Sequence, residues 1–256
     1  MSRFLPLAVG VFVLALWEVL VRVLEVPQFV LPPPTMIAGA LAANLPELLE
    51  ALAETLKLTL LAFAASFVGG LALAILFVQS RLVERSLLPY AVTLQVTPIV
   101  SIAPLIIIWV GVDHMERAVF ILATIVAFFP ILSNASLGLR SVDPGLTDLF
   151  KLYRASRWQS LWLLQLPSSL PALLAGARIS VGLALIGSVV AEFVAGSGEA
   201  TGLAWRIEQS GQRLETPLMF AGLLLLSLTG LALNATIAGV EHRLLRRWHP
   251  GHGAAT

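Results

Sequence analysis

The 256-residue sequence predicts an all-α membrane protein with six transmembrane helices and one long cytoplasmic loop. Three observations carry that reading. Hydrophobic residues make up 58% of the chain and charged residues 12%, against roughly 45–50% and 25% in an average soluble domain. The charges sit in short clusters between long charge-free runs, as in a chain that crosses a bilayer several times. The basic residues also fall unevenly on the two sides that those runs define. With no solenoid-type repeat, residues 1–256 read as a single polytopic domain. A net charge of +1 supplies no basic field, so nucleic acid is not an expected partner. The absence of cysteine excludes disulfides and thiol catalysis.

The first span covers about residues 4–24. It follows Arg3 and continues through Glu18 and Arg22 without the small-residue cleavage site of a secretory signal. Glu18 and Arg22 stand four apart, so a helix pairs them near its exit end. A Pro-rich loop, Leu31-Pro-Pro-Pro-Thr35, and an amphipathic stretch with Glu47, Glu50 and Glu54 follow. The second span, about 58–80, is free of charge and long enough at about 1.5 Å per residue to cross a core of about 30 Å. The third, about 87–112, contains Pro89, Pro98 and Pro104, which predict a kinked or broken helix facing the protein interior, where neighbours satisfy the freed carbonyls. The fourth covers about 118–139. Between Trp158 and Ala191 only Arg178 is charged. One residue cannot join two antiparallel spans, so the fifth is expected at about 172–195, with Arg178 near its start and Trp158–Leu170 as an interfacial helix. The sixth covers about 216–240.

With the amino terminus inside, 11 of the 16 basic residues are cytoplasmic: Arg3, Arg81, Arg85, Arg140, Lys151, Arg154, Arg157, Arg178, Arg243, Arg246 and Arg247. Both termini are therefore expected in the cytoplasm.

The loop at about 140–171 is too long for a bare connector. Asp143-Pro144 is a helix start, with Thr147 an alternative cap, and Leu146, Leu149, Phe150 and Tyr153 then form an apolar stripe at i, i+3, i+4 and i+7. Lys151, Arg154 and Arg157 lie off it. The pattern suits the inner leaflet and a partner's groove equally.

Within this loop Asp148-Leu149-Phe150, then Arg154, then Leu164-Gln165-Leu166-Pro167 keep the spacing of the Glu-Ala-Ala, Gly, Ile-x-Leu-Pro signature. On those residues the sequence resembles the permease subunits of bacterial ATP-binding-cassette importers. Arg154 replaces the usual glycine, which implies a straighter connection or a strained turn. Leu31-Pro-Pro-Pro, Ala103-Pro-Leu-Ile-Ile-Ile-Trp-Val-Gly111, Phe128-Phe-Pro-Ile-Leu132 and Val190-Ala-Glu-Phe-Val194 with Gly202-Leu203 resemble the branch importing nitrate, sulfonates and taurine. The resemblance implies an importer permease fold in the bacterial inner membrane, with residues 140–171 as the coupling-helix loop. It also implies a homodimer around a central pathway, two ATPase subunits and a periplasmic or lipid-anchored solute-binding protein. Asp148, Leu149, Phe150, Tyr153, Arg154, Ala155, Ser156, Leu166 and Pro167 are the implied ATPase-coupling residues.

A phosphate-binding P-loop needs Gly-rich sequence followed by Lys and Ser or Thr, whereas Lys57 and Lys151 are each followed by Leu. This chain is not expected to be an enzyme or to hold a cofactor; ATP and magnesium belong to the partner. The competing reading, a self-sufficient secondary transporter or channel, calls for coupling charges within the spans and internal inverted symmetry. Neither is evident in the sequence.

Pathway or gate candidates are Pro98, Pro104 and Glu192. Glu192 either lines the pathway or sits near the outer end of span five, paired or hydrated, with Gly196, Ser197 and Gly198 marking the boundary. Arg206 and Arg213 either meet an anionic solute or are solvated surface charges beside Glu199, Glu208 and Glu215. Trp109, Trp205 and Trp248 suit interface anchors. His114, His242, His249 and His252 form no ligand set, and no metal site is expected.

Overall fold

A computed structural model of the chain describes residues 5–195 and 202–245. Every regular element among them is helical: α1 (Leu5–Val23), α2 (Pro34–Ala43), α3 (Leu45–Gln79), α4 (Arg81–Val96), α5 (Ile99–Val110), α6 (Met115–Arg140), α7 (Pro144–Leu152), α8 (Arg157–Ser160), α9 (Leu166–Ala195), α10 (Leu203–Gln212) and α11 (Thr216–Leu245). A short 3-10 turn covers Val112–His114, and a π-helical segment, Leu161–Gln165, joins α8 to α9. Arg3, Gly196, Ser197, Gly198, Glu199, Arg246, Arg247, Trp248, His249 and His252 lie outside the described residues.

Among the described residues four helical stretches are long and apolar enough to cross a membrane: Leu45–Gln79, Met115–Arg140, Arg157–Ala195 and Thr216–Leu245. The pair α4 and α5, bent by 104°, is a fifth if it forms one span. α1, with 19 residues, reaches about 28 Å at 1.5 Å per residue.

Several boundaries differ from those expected. α3 begins at Leu45 because Pro46 occupies the first turn, where its missing N–H costs nothing, and no breaker follows before Ser80. The amphipathic stretch and the second span are therefore one helix. In the third span only Pro98 breaks the chain: Thr97 and Pro98 take extended ψ values of 124° and 118°, while Pro89 and Pro104 stay inside helices. Proline disfavours helical backbone in the residue before it, and Thr97 is that residue. The expected interfacial helix and fifth span are likewise continuous from Arg157 to Ala195. Pro167 offers no N–H to its preceding turn, and the helix absorbs the loss by widening, with Leu166 N–H donating five residues back to Leu161 O.

The chain divides into two compact units. The first comprises residues 1–55 and 200–229. Here Arg22 Nε donates to Glu18 at 2.6 Å, the pairing that the four-residue spacing predicts. Glu18 also accepts from Thr35 N–H at 3.0 Å and Thr35 Oγ1 at 2.8 Å, holding the start of α2 against α1. Leu203 N–H donates to Thr55 Oγ1 at 2.8 Å, satisfying a donor at the N-terminus of α10. The rings of Trp17 and Phe220 lie 6.1 Å apart.

The second unit comprises residues 56–199 and 230–256. Its core is the antiparallel pair α6 and α9, packed through small residues. Ala123, Ala127, Ala135, Ala184 and Ala191 are fully buried. An added Cβ at Gly138, Gly176 or Gly187 would come within 2.8–2.9 Å of the facing helix. In lipid, where tails are as apolar as Leu, such close backbone approach is what drives helix association. Ser180 Oγ donates to Ala127 O at 2.7 Å and Ser66 Oγ to Thr124 O at 2.9 Å, so these two buried hydroxyls are satisfied by backbone carbonyls.

Candidate functional site

α7 is the exposed element of the long loop. Asp143 caps it, accepting from Gly145 N–H at 2.7 Å and Leu146 N–H at 3.3 Å, with Pro144 at the first helical position. None of its residues is buried. Leu146 and Leu149 are about half exposed at 46% and 45%, and Leu152 and Tyr153 are each 79% exposed, while Phe150 is half-buried. The apolar stripe thus faces outward, and Asp148 is held by Lys151 Nζ at 2.9 Å.

The helix stops in a left-handed turn. Arg154 has φ +54°, Ala155 N–H donates back to Phe150 O, and Arg154 N–H donates to Lys151 O, both at 2.9 Å. These are the two hydrogen bonds of a Schellman stop, whose left-handed residue is usually glycine. The strained turn, one of the two geometries expected at Arg154, is what forms. Ser156 then opens the next helix with a reciprocal capping box: Gln159 N–H donates to Ser156 Oγ at 3.2 Å, and Ser156 N–H donates to Gln159 Oε1 at 2.8 Å. Two adjacent caps fix the angle between α7 and α8.

The candidate coupling residues divide between two settings. Asp148, Leu149, Phe150, Tyr153, Arg154, Ala155 and Ser156 form α7 and its stop, whereas Leu166 and Pro167 are half-buried where the π segment meets α9. At the α4–α6 joint Arg140 donates to Glu84 at 2.7 Å. The hydrogen bond from Arg140 holds the Glu84 carboxyl below the ordinary carboxylate range, against the opposing effect of desolvation.

Pro98 lies at the corner between α4 and α5 and Pro104 in α5, both exposed. Glu192 is only 2% exposed, one turn from the end of α9. Arg206 pairs with Glu47 at 3.3 Å and Arg213 is exposed at the end of α10, as surface charges would be. Among the described residues no group of His, Asp or Glu is arranged to hold a metal ion.

Arg178 differs from the expectation that it stands near a helix start. Arg178 stands well inside the helix Arg157–Ala195, and its Nε donates to Asn234 Oδ1 of α11 at 2.7 Å. The signal for it was the 34-residue run Trp158–Ala191, in which Arg178 is the single charge. At the bilayer centre a charge costs at least about 2.5–3.5 kcal/mol on insertion scales, so such residues are retained for a use.

The model of the binding-protein-dependent transport system inner membrane component family matches residues 66–247, more than half of the chain. The chain belongs to that family. It is similar to the riboflavin transport system permease protein RibX of Chloroflexus aurantiacus, 34% identical over 92% of this chain and 86% of that protein. It is also similar to the formylaminopyrimidine transport permease protein ThiX of Halalkalibacterium halodurans, 32% identical over 94% of each. Among solved structures, an inward-facing methionine ABC transporter, MetNI, has a chain matching with TM-score 0.65 at 20% identity, over 80% of this chain and 97% of its own. That likeness shows the fold, that of an importer permease. The protein is accordingly a multi-pass transport subunit of an importer and not an enzyme; ATP hydrolysis belongs to a separate chain.

Proposed function

We propose that this permease crosses the membrane six times, with α1 the first span and α4–α5 the broken third. Two copies form the pathway, and α7 receives the force of the ATPase subunits. A solute-binding protein delivers a small solute, of the sulfonate, nitrate or taurine kind, from the outer side. No cofactor binds this chain; ATP and magnesium act on the partner. The observation that supports the coupling role is the outward apolar stripe of α7, set at a fixed angle by a Schellman stop and a capping box. ATP-driven closure of the ATPase pair pushes on this helix and, through the continuous helix from Arg157 to Ala195, moves the spans between inward-open and outward-open arrangements. Pro98, at the break of the third span, Pro104, within α5, and Glu192, buried one turn from the end of α9, are the pathway or gate candidates.

The test is copurification. The tagged chain, extracted in mild detergent with its operon partners, is expected to bring an ATPase subunit with it. Phe150→Asp combined with Tyr153→Asp is expected to lose that subunit and reduce uptake to background, while the amount inserted in the membrane stays unchanged. Full uptake by the double variant removes α7 from the coupling role.

A further inference from the structure

Arg178 can be placed in depth by its neighbours. The charge-free part of α6 runs from Ala118 to Leu139 between Arg117 and Arg140. Its middle lies between Ala127 and Pro130, each ten residues, or about 15 Å, from the nearer flanking charge. Ser180 hydrogen-bonds Ala127 O, and Gly176 packs against Pro130 O and Asn134 Cβ. Arg178, between Gly176 and Ser180, is therefore level with the middle of α6. Its backbone stands about as far from water on either side as the hydrocarbon core allows.

At that depth Arg178 is exposed on the surface of the chain, on the face that also carries Ala175 and Ile179. A guanidinium is not left in lipid tails, so that face borders water or another protein surface. The side chain is oriented rather than neutralised: Nε is engaged by Asn234 Oδ1, a neutral acceptor. Among the described residues no acidic group pairs with it, and no hydrogen bond engages its two terminal nitrogens. Those nitrogens form the planar fork that binds a carboxylate, sulfonate or inorganic oxyanion through two parallel hydrogen bonds.

We infer that Arg178, oriented by Asn234, is a cationic station at mid-depth in the water-filled solute pathway, where it takes the anionic group of the transported solute. This rests on the permease reading and names the substrate class for it.

The absence of cysteine makes the test direct. Ala175→Cys puts one thiol on the same helical face, three residues from Arg178, where Cβ atoms lie about 5–6 Å apart. Unsealed membranes containing this chain with its partner subunits are treated with an anionic (sulfonatoethyl) or a cationic (trimethylammonioethyl) methanethiosulfonate. Labelling of this chain is followed by mass shift, and rates are divided by those for a free thiol. Both reagents are expected to label the thiol, the anionic one about tenfold faster. Arg178→Gln in the Ala175→Cys background is expected to abolish that preference, and Arg178→Lys to retain it. No labelling by either reagent overturns the aqueous location. Labelling without charge preference, or a preference that survives Arg178→Gln, overturns the anion station. If Arg178→Gln fails to insert, the preference in Ala175→Cys compared with that of Leu231→Cys, on α11 and 67% exposed, decides instead; equal ratios overturn the proposal. The labelling requires no ATPase activity, so its result is independent of the copurification that tests the permease reading.

Discussion

Arg154 shows how one residue keeps a backbone geometry while departing from the residue type that favours it. A non-glycine residue in the left-handed region costs about 1–2 kcal/mol because Cβ crowds the following carbonyl, and Arg154 bears that cost at φ +54°. Arg154→Gly is expected to raise the stability of the detergent-purified protein by up to about 1 kcal/mol, the gain being offset by glycine's greater freedom in the unfolded chain. Its uptake is expected to stay within about twofold of the parent. Arg154→Val is expected to lower the melting temperature, since a β-branched residue tolerates this region least. A loss of uptake in Arg154→Gly gives the guanidinium itself a coupling role. Glu84 supports a pH prediction. Its pKa is lowered in the folded chain by Arg140, so the pair stabilises above the ordinary carboxylate pKa, and that stability is lost as pH falls through the lowered value. Because both side chains are partly exposed, at 21% and 48%, the effect is expected to be under about 1 kcal/mol. Glu84→Gln is expected to melt slightly earlier than the parent at pH 7 and together with it well below pH 4.5.

Among the elements, packing of α6 on α9 through small residues makes a prediction that side-chain size alone decides. A Cβ added at Gly176 would come within 2.8 Å of Asn134 Cβ and 3.0 Å of Pro130 O, so Gly176→Leu is expected to force the helices apart at a cost of about 1–3 kcal/mol. Gly182, on the same helix, has nothing within 4 Å of its would-be Cβ. Gly182→Ala is expected to be neutral or stabilising by up to about 1 kcal/mol, because alanine is the better helix former. Thermal unfolding in detergent checks both, and equal effects rule out the close-packed interface. The long helices were legible in the sequence because a run of apolar residues is itself what crosses lipid. α7 was legible from its cap and its i, i+3, i+4 stripe, both local properties. What hydropathy could not show was continuity. A polar helical segment such as 45–57 and an interfacial one such as 158–170 continue into spans without a break, and only backbone hydrogen bonding reveals it. The place of Arg178 well inside its helix was not legible for the same reason: the helix runs unbroken from Arg157 to Ala195, and hydropathy shows no such continuity.

At the scale of the whole chain, the parity of crossings sets the side of every loop beyond residue 98, and geometry and charge pull in opposite directions there. α4 and α5, of 16 and 12 residues and bent by 104°, extend about 26 Å end to end at 1.5 Å per residue, short of a core of about 30 Å. Taken alone, that length favours a re-entrant pair. A re-entrant pair, however, leaves Val112–His114 on the same side as Arg81 and Arg85. It also moves Arg140, Lys151, Arg154, Arg157 and Arg243 to the opposite side. Basic residues close to span ends are held in the cytoplasm, and α7 can meet an ATPase only there. A shortfall of a few ångströms costs fractions of a kcal/mol per ångström, met by local thinning of the bilayer. Translocating five basic residues near span ends costs more, so the pair is expected to cross. Alkaline phosphatase fused after His114 is therefore expected to be active, and green fluorescent protein fused after Leu245 fluorescent, placing the two positions on opposite sides. A silent phosphatase at His114 together with a dark fusion at Leu245 makes α4–α5 re-entrant, and it removes α7 from the cytoplasm and with it the coupling mechanism.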